Sequence, residues 1–353
     1  MTTRVTSRLS CLLDASNLDR WQGGSQLLGQ PPTSCLGAAT SCLGGPNIAS
    51  MEPVTRTLVG LLLLTRGLLP NGSVLDVGAH VGHEACWYSA LDPLRTVHAV
   101  EPLEHNIARM QRQRAMSWPA MGIGKIVILH AGLGSQEQSR VSVPRIRSKN
   151  PEGHVLTLWR VANASEPTKT KETEQESFPV HTVDSMFEVE RLAFAHIDVE
   201  GEELNLLNGA GRTLARDRPW LTVEAHTNAS MLQYTDRDYY VAHHVGKELA
   251  RAQYTMYVID EWCGDPGCRN ILCVPEADKT RFEVSETGRL MHQAGTLTHC
   301  GEAKADALWE CLQASVYRVR EALRIRRPYT RPRRASRFNA NPRGGAPWRH
   351  RSP

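Results

Sequence analysis

Short β-rich runs and helix-period segments take turns along residues 51–280, which predicts an α/β protein with a doubly wound, mostly parallel sheet. The last two runs, YTMYVID (254–260) and RNILCVP (269–275), flank WCGDPGC, whose Gly-Asp-Pro-Gly is turn chemistry. They should form an antiparallel hairpin, so one strand runs against the others. A hydrophobic share of 41% in 353 residues is enough for a sizeable core.

Each element follows from its local pattern. The apolar run LVGLLLL (58–64) belongs to a helix over about 52–68. It falls well short of the roughly 20 residues that cross a bilayer, so no transmembrane segment is expected. GSVLDVG (72–78) is the first strand and ends in glycine. Residues 82–91 are a helix, TVHAVEP (96–102) the second strand, 103–116 a helix and KIVILHAGL (125–133) the third strand. Residues 147–177, with the stretch TKTKETEQES, are polar and read as a surface loop or insertion. The pattern resumes at HTVDSMF and the strand LAFAHIDVE. A helix follows, carrying Leu204, Leu207, Ala210 and Leu214 on one face. PWLTVEAH (219–226) is the fifth strand, and the hairpin completes a seven-stranded, Rossmann-like sheet.

Outside this region the signal fades. Residues 1–50 are rich in Ser, Gly, Pro and Gln and read as a disordered N-terminal extension. Residues 281–327 form a C-terminal extension. Its amphipathic helix carries Leu308, Cys311, Leu312, Val316, Val319 and Leu323 and ends before Pro328. Residues 328–353 are a basic disordered tail. From Gly301 onward 12 Arg and one Lys face four acids, so the overall charge of +4 divides into +9 there and −5 before it. The body therefore lacks a nucleic-acid-binding composition. No secretory signal is visible, and the expected compartment is the cytoplasm, with an organelle transit peptide as the alternative. Nine scattered cysteines fit reduced thiols better than a disulfide framework.

VLDVGAHVGHE (74–84) sits where the first strand turns into its helix. Gly78 and Gly82 allow a tight bend and let a ligand approach amides at a helix N-terminus, with Ala79 and His80 between them. Asp76 lies two residues before the first glycine, where it would repel a pyrophosphate and suit a cationic group. Glu101 ends the second strand, 19 residues after Gly82, at the usual place for holding ribose hydroxyls. One molecule with a ribose and a positively charged amino-acid moiety satisfies both: S-adenosylmethionine. The bland alternative is a plain strand–turn–helix with two exposed acids.

VLDVGAHVG, HAVEP, TVDSM, HIDVEGEELNLLNGA, LTVEAH and CGDPGCRNILCVP occur in that order, and together they resemble the FkbM-type methyltransferases. The resemblance covers roughly residues 55–276. It implies the class I S-adenosylmethionine-dependent fold and O-methylation of hydroxyls on sugars or natural products, without naming the acceptor. One position departs: the family usually has Asn where this chain has His80. In this fold the adenine would lie beside His130, Ala131 and Gly132, at the end of the third strand.

Ligands of an open α/β sheet lie beyond the C-terminal ends of its strands. Asp198 and Glu200 share one strand face at that end, and Glu224 and His226 repeat the arrangement on the neighbouring strand. Methyl transfer to a hydroxyl needs in-line alignment and a base. Asp198 or Glu200 is the first choice for that base or for orienting the acceptor, with His226 second. The same set could hold a hard metal ion, although no zinc-type spacing is present. Glu202 and Glu203 fall in the first turn of a helix and suit its dipole. Cys263, Cys268 and Cys273, at x4 spacing, do not read as a zinc site. The main rival reading is an RNA methyltransferase or RNA-binding protein using the Arg-rich tail. DVEG stands where adenine-N6 enzymes carry (N/D)PP(Y/F), which argues against that group. A third reading is a catalytically inactive cofactor-binding domain.

Overall fold

The computed structural model describes Cys42 and residues 52–119, 122–144, 175–199, 201–226, 235–261, 268–300 and 305–322. The basic tail, nearly all of the N-terminal extension, most of the polar 147–177 stretch, Glu200 and the side chain of His226 lie outside the described residues.

The chain enters through helix α1 (Pro53–Leu64), then alternates β1 (Ser73–Val77), α2 (His83–Leu91), β2 (Val97–Glu101), α3 (Glu104–Met116) and β3 (Ile126–His130). After an excursion it returns through β7 (Leu192–Ile197), helices α5 (Glu203–Asn208) and α6 (Gly211–Asp217), and β8 (Trp220–His226). Helix α7 (Thr235–Arg251) leads to β9 (Tyr254–Ile259) and β10 (Cys268–Pro275). In space the strands run β3-β2-β1-β7-β8-β10-β9-β11, the last being Leu297–His299. β1, β2, β3, β7 and β8 are parallel, and β10 is antiparallel to both β8 and β9. The doubly wound sheet and its hairpin are therefore present. The strand order reverses between β1 and β7, where such sheets bind ligands.

The sheet has eight strands, because β11 (Leu297–His299) pairs antiparallel with β9. Three residues are too few for a period to show in sequence. The third strand is shorter than KIVILHAGL suggests. β4 (Gly132–Leu133) leaves for a second sheet with β5 (Gln138–Pro144) and β6 (Gln175–His181), in the order β4-β6-β5. β6 takes up the end of the stretch expected to be loop. It is followed by the short helix α4 (Val183–Met186), capped by the Thr182 hydroxyl. The helix after HIDVEGEE is interrupted at Gly209, where a Cβ would sit 2.0 Å from the Gly134 carbonyl oxygen. Helices α8 (Lys279–Val284) and α9 (Glu286–Gln293) precede β11, and α10 (Ala305–Ala322) follows it. Of the expected stripe, Leu308, Cys311 and Leu312 are buried on α10, while Leu323 lies outside the described residues.

Alternation along the strands divides the core in two. Val74, Phe194, Trp220, Leu272 and Tyr257 meet α1, α2, α8 and α9 on one face. Leu75, Ile197, Val223 and Ile271 meet α5, α6, α7 and α10 on the other. The cysteines depart from the reduced-thiol expectation. Cys42 is bonded to Cys86 and Cys300 to Cys311, and Cys268 is also in a disulfide. Cys42 and Cys86 are 44 residues apart in sequence but 5.4 Å apart at Cα, a proximity that spacing does not reveal. Among the described residues no helix is long and apolar enough to cross a membrane.

Candidate active site

The site is built around the turn between β1 and α2. Gly78 and Ala79 both donate to the Val100 carbonyl at 3.0 Å, which fastens the turn to β2. Gly78 has φ +79, and a Cβ there would lie 1.8 Å from the Asp198 carbonyl oxygen. Its glycine is thus required first by the close crossing of β1 and β7, where Asp198 N donates to Val77 O at 3.1 Å. Gly82 is the N-cap of α2 with φ 84, and a Cβ there would strike Met110. His80 has φ 49. Asn and His are among the few side chains that tolerate this left-handed conformation, so the exchange from the family's Asn keeps the backbone shape.

Glu101 closes the turn from β2. Its Oε2 accepts from His80 N at 2.9 Å, and its Oε1 accepts from Leu103 N at 2.9 Å and Asn106 Nδ2 at 3.3 Å. Burial pushes its carboxyl up to about 7, against the downward pull of these hydrogen bonds. An ionised carboxylate has about four acceptor positions, so capacity remains on Oε2 for a ribose hydroxyl. Asp76 is 1% exposed. The Ala85 N–H donates to its carboxyl, while Oδ2 has no partner. Burial first, then the like charge of Glu84, holds it well above the usual carboxylate range. A cationic donor group answers both the missing hydrogen bond and the buried charge. The turn, the orphaned Asp76 oxygen and Glu101 therefore fit S-adenosylmethionine. Ala131 is buried beside them, its N–H on the Glu101 carbonyl at 3.2 Å, and His130 is exposed with Nε2 2.9 Å from Pro102 O.

The other expected group is only partly brought together. Asp198 is half-buried just past β7, and Glu224 is buried near the end of β8. His226 ends β8 opposite Cys268. Glu202 and Glu203 do start a helix, Glu203 accepting from Gly201 N at 2.9 Å.

Four polar side chains at this end escaped the sequence reading. Arg56 on α1 donates to Glu84 on α2 through Nε at 2.9 Å and Nη2 at 2.5 Å. Burial raises the Glu84 carboxyl, but Arg56 outweighs it, helped by His196 and His83, and holds Glu84 at about 2. His196 is buried on β7, Nδ1 2.9 Å from Thr222 Oγ1, with its charged form disfavoured by burial. Glu52 precedes α1, its carboxyl pushed up to about 8 by burial, then by Glu261 and Glu224. A lone Arg in PVTRTLVGLLLL and a lone His in LAFAHI were the available signals. Among the described residues, Glu52, Glu224 and Cys268 place potential metal-ligating atoms within 4.8 Å of one another. Because Cys268 is in a disulfide, its sulfur is not a thiolate ligand.

Solved structures with some similarity to this chain include methyltransferases. The FkbM methyltransferase of Methylobacillus flagellatus KT is 16% identical, covers 74% of this chain and has a TM-score of 0.36. This chain spans 58% of that protein's length. A SAM-dependent methyltransferase from Aquifex aeolicus is 12% identical over 68% of this chain and 98% of its own, with a TM-score of 0.35. The magnesium protoporphyrin IX methyltransferase of Synechocystis PCC 6803, solved with bound SAM, is 11% identical over 76% and 96%, with a TM-score of 0.34. No curated protein matches the chain significantly in sequence. The methyltransferase FkbM domain matches residues 76–289, from the acid of the glycine turn to beyond the hairpin. The chain belongs to the FkbM methyltransferases, a family dependent on S-adenosylmethionine.

Proposed function

We propose that this protein transfers a methyl group from S-adenosylmethionine to a hydroxyl of a sugar or other small-molecule acceptor. The observation that carries the reading is the buried Asp76 oxygen without a partner, set in a glycine turn at the point where the strand order reverses. Asp76 takes the cationic amino-acid end of the cofactor, directly or through water. Gly78, Ala79, His80 and Gly82 shape the turn around it, Glu101 holds the ribose, and Ala131 lines the adenine side. The cofactor supplies a methyl group on a sulfonium. The protein must orient an acceptor oxygen, exclude water and accept a proton.

Carboxylates predominate where the acceptor enters. Asp198 stands just past the end of β7 and Glu224 near the end of β8, with Glu200 and His226 completing the group in sequence. Carboxylates orient hydroxyl donors and can take their protons, which favours an oxygen acceptor. Calorimetric titration with S-adenosylmethionine tests the cofactor assignment: Asp76→Ala should lose affinity by 100-fold or more. An unchanged affinity refutes it. Following a labelled methyl group across glycans, small alcohols and RNA then tests the acceptor class, and exclusive transfer to RNA would overturn the small-molecule reading.

A further inference from the structure

Glu52 occupies a left-handed backbone conformation, φ 50, immediately before Pro53. Its side chain makes no capping hydrogen bond to the helix it precedes. That duty falls to Glu261, whose Oε2 accepts from Val54 N at 3.0 Å and Thr55 N at 3.1 Å. The Glu52 carboxylate turns instead toward β10, where Oε1 accepts from Asn270 Nδ2 at 3.0 Å. It reaches within 4.8 Å of Glu224.

Asn270 is wholly buried on β10, directly opposite Glu224 on β8. Its amide is directed into the acids, with Nδ2 also 3.4 Å from Glu261 Oε1, and its Oδ1 has no partner. A buried amide oxygen needs a donor, and the protein supplies none among the described residues. Neighbouring hydroxyls of a sugar or cyclitol carry the required groups, one donating to Asn270 Oδ1 and another to a carboxylate.

The position relative to the cofactor turn is fixed by covalent and ionic links. Arg56 N donates to Glu52 O at 3.0 Å, one turn along α1, and the Arg56 side chain grips Glu84, two residues after Gly82. Glu52 is thereby held to the same turn that carries Asp76.

We propose that Glu52, Glu224 and Asn270 form the acceptor subsite for a vicinal diol, and that Glu52 receives the proton of the reacting hydroxyl. The inference rests on the methyltransferase reading above. As the acceptor oxygen bonds to the methyl carbon, the carbon–sulfur bond breaks and its electron pair stays on sulfur. The hydroxyl proton passes to a Glu52 oxygen, leaving a methyl ether, a neutral thioether and a carboxylic acid. A base whose carboxyl is held near 8 is matched to this task around neutral pH.

The test uses the full chain, S-adenosylmethionine labelled in its methyl group, and glucose, rhamnose and myo-inositol as probes. At least one polyol should be methylated. Glu52→Gln should lower kcat on it by about 10²- to 10⁴-fold, keep cofactor affinity within about threefold, and lose the rise of kcat/KM between pH 7 and 9. Where Glu52→Gln does not fold, Glu52→Asp should keep that rise with a lower kcat. An unchanged kcat in either variant overturns the base assignment. Cofactor binding without methylation of any polyol overturns the subsite and leaves the cofactor reading intact. Absence of cofactor binding by the unaltered protein overturns the reading on which the inference rests.

Discussion

Gly78→Ala is the substitution whose cost can be worked most directly from the structure. The new Cβ would stand 1.8 Å from the Asp198 carbonyl oxygen, far inside the 3.0 Å below which real Cβ contacts essentially never fall. That oxygen is backbone, so relief requires β1 and β7 to separate and the Asp198 N–Val77 O bond at 3.1 Å to stretch. Alanine at φ +79 costs about 1–2 kcal/mol, the weakened hydrogen bond about 1, and the forced backbone shift about 1–3. Together these give a loss of about 3–6 kcal/mol, a large part of the roughly 5–15 kcal/mol that holds a domain folded. Gly211→Ala is the control, because its Cβ meets nothing within 4 Å and begins α6. It should be neutral or stabilise by about 0.5–1 kcal/mol. Urea unfolding of the two variants measures the difference. If their stabilities agree within about 1 kcal/mol, the strand crossing does not dictate this glycine.

Arg56→Met leaves Glu84 ionised and without its main partner, which should cost about 3–5 kcal/mol in urea unfolding. Adding Glu84→Gln should recover part of it, and a double variant no more stable than the single one would contradict the pairing. Cofactor-free protein should lose stability as pH rises from about 5 to 8. Glu101 and Glu52 are held up near 7 and 8, so their contribution is full below 4.5 and lost as they ionise in the folded state. The Glu101 share is at most about 3 kcal/mol, and a melting temperature that climbs across this window would refute the burial argument. Glu84, held at about 2, acts oppositely and only in acid, its contribution disappearing as pH falls from 4.5 through 2.

The strands and the glycine turn between β1 and α2 were legible because their causes are local. Short apolar, β-rich runs in VLDV and VHAVE, and glycines at 78 and 82, record a buried strand and a left-handed turn wherever they occur. Gly78, however, looked like room for a ligand, whereas the structure shows it making room for Asp198. That partner is 120 residues away and leaves no mark beside the glycine. Helix α7 was legible but not read: in TDRDYYVAHHVGKELAR the buried Ala242, Val245 and Leu249 recur at helical spacing among the charges and histidines. The disulfides were hidden for the same reason as the partner of Gly78. Cys42 and Cys86 meet only after α1 and α2 have packed on the same sheet face.

The same limit explains why Glu52 did not stand out beside the acid pairs. Alternation along a strand identifies Asp198 and Glu224 as neighbours, since both follow from register. It cannot show that α1 brings Glu52 toward β10, because α1 joins the sheet through side chains. Its tie to the hairpin is Glu261, more than 200 residues away, accepting the N–H groups of Val54 and Thr55. Its tie to the cofactor turn is the Arg56–Glu84 pair. Apolar burial alone would let such a helix slide along the sheet with little penalty. The Arg56–Glu84 ion pair and the Glu261 hydrogen bonds at one end do not permit this, because displacement strands buried charges in the first and leaves buried polar groups unpaired in the second. The polar belt at the mouth of the sheet therefore fixes where α1 begins, and with it the distance between Asp76 and the acids proposed for the acceptor subsite.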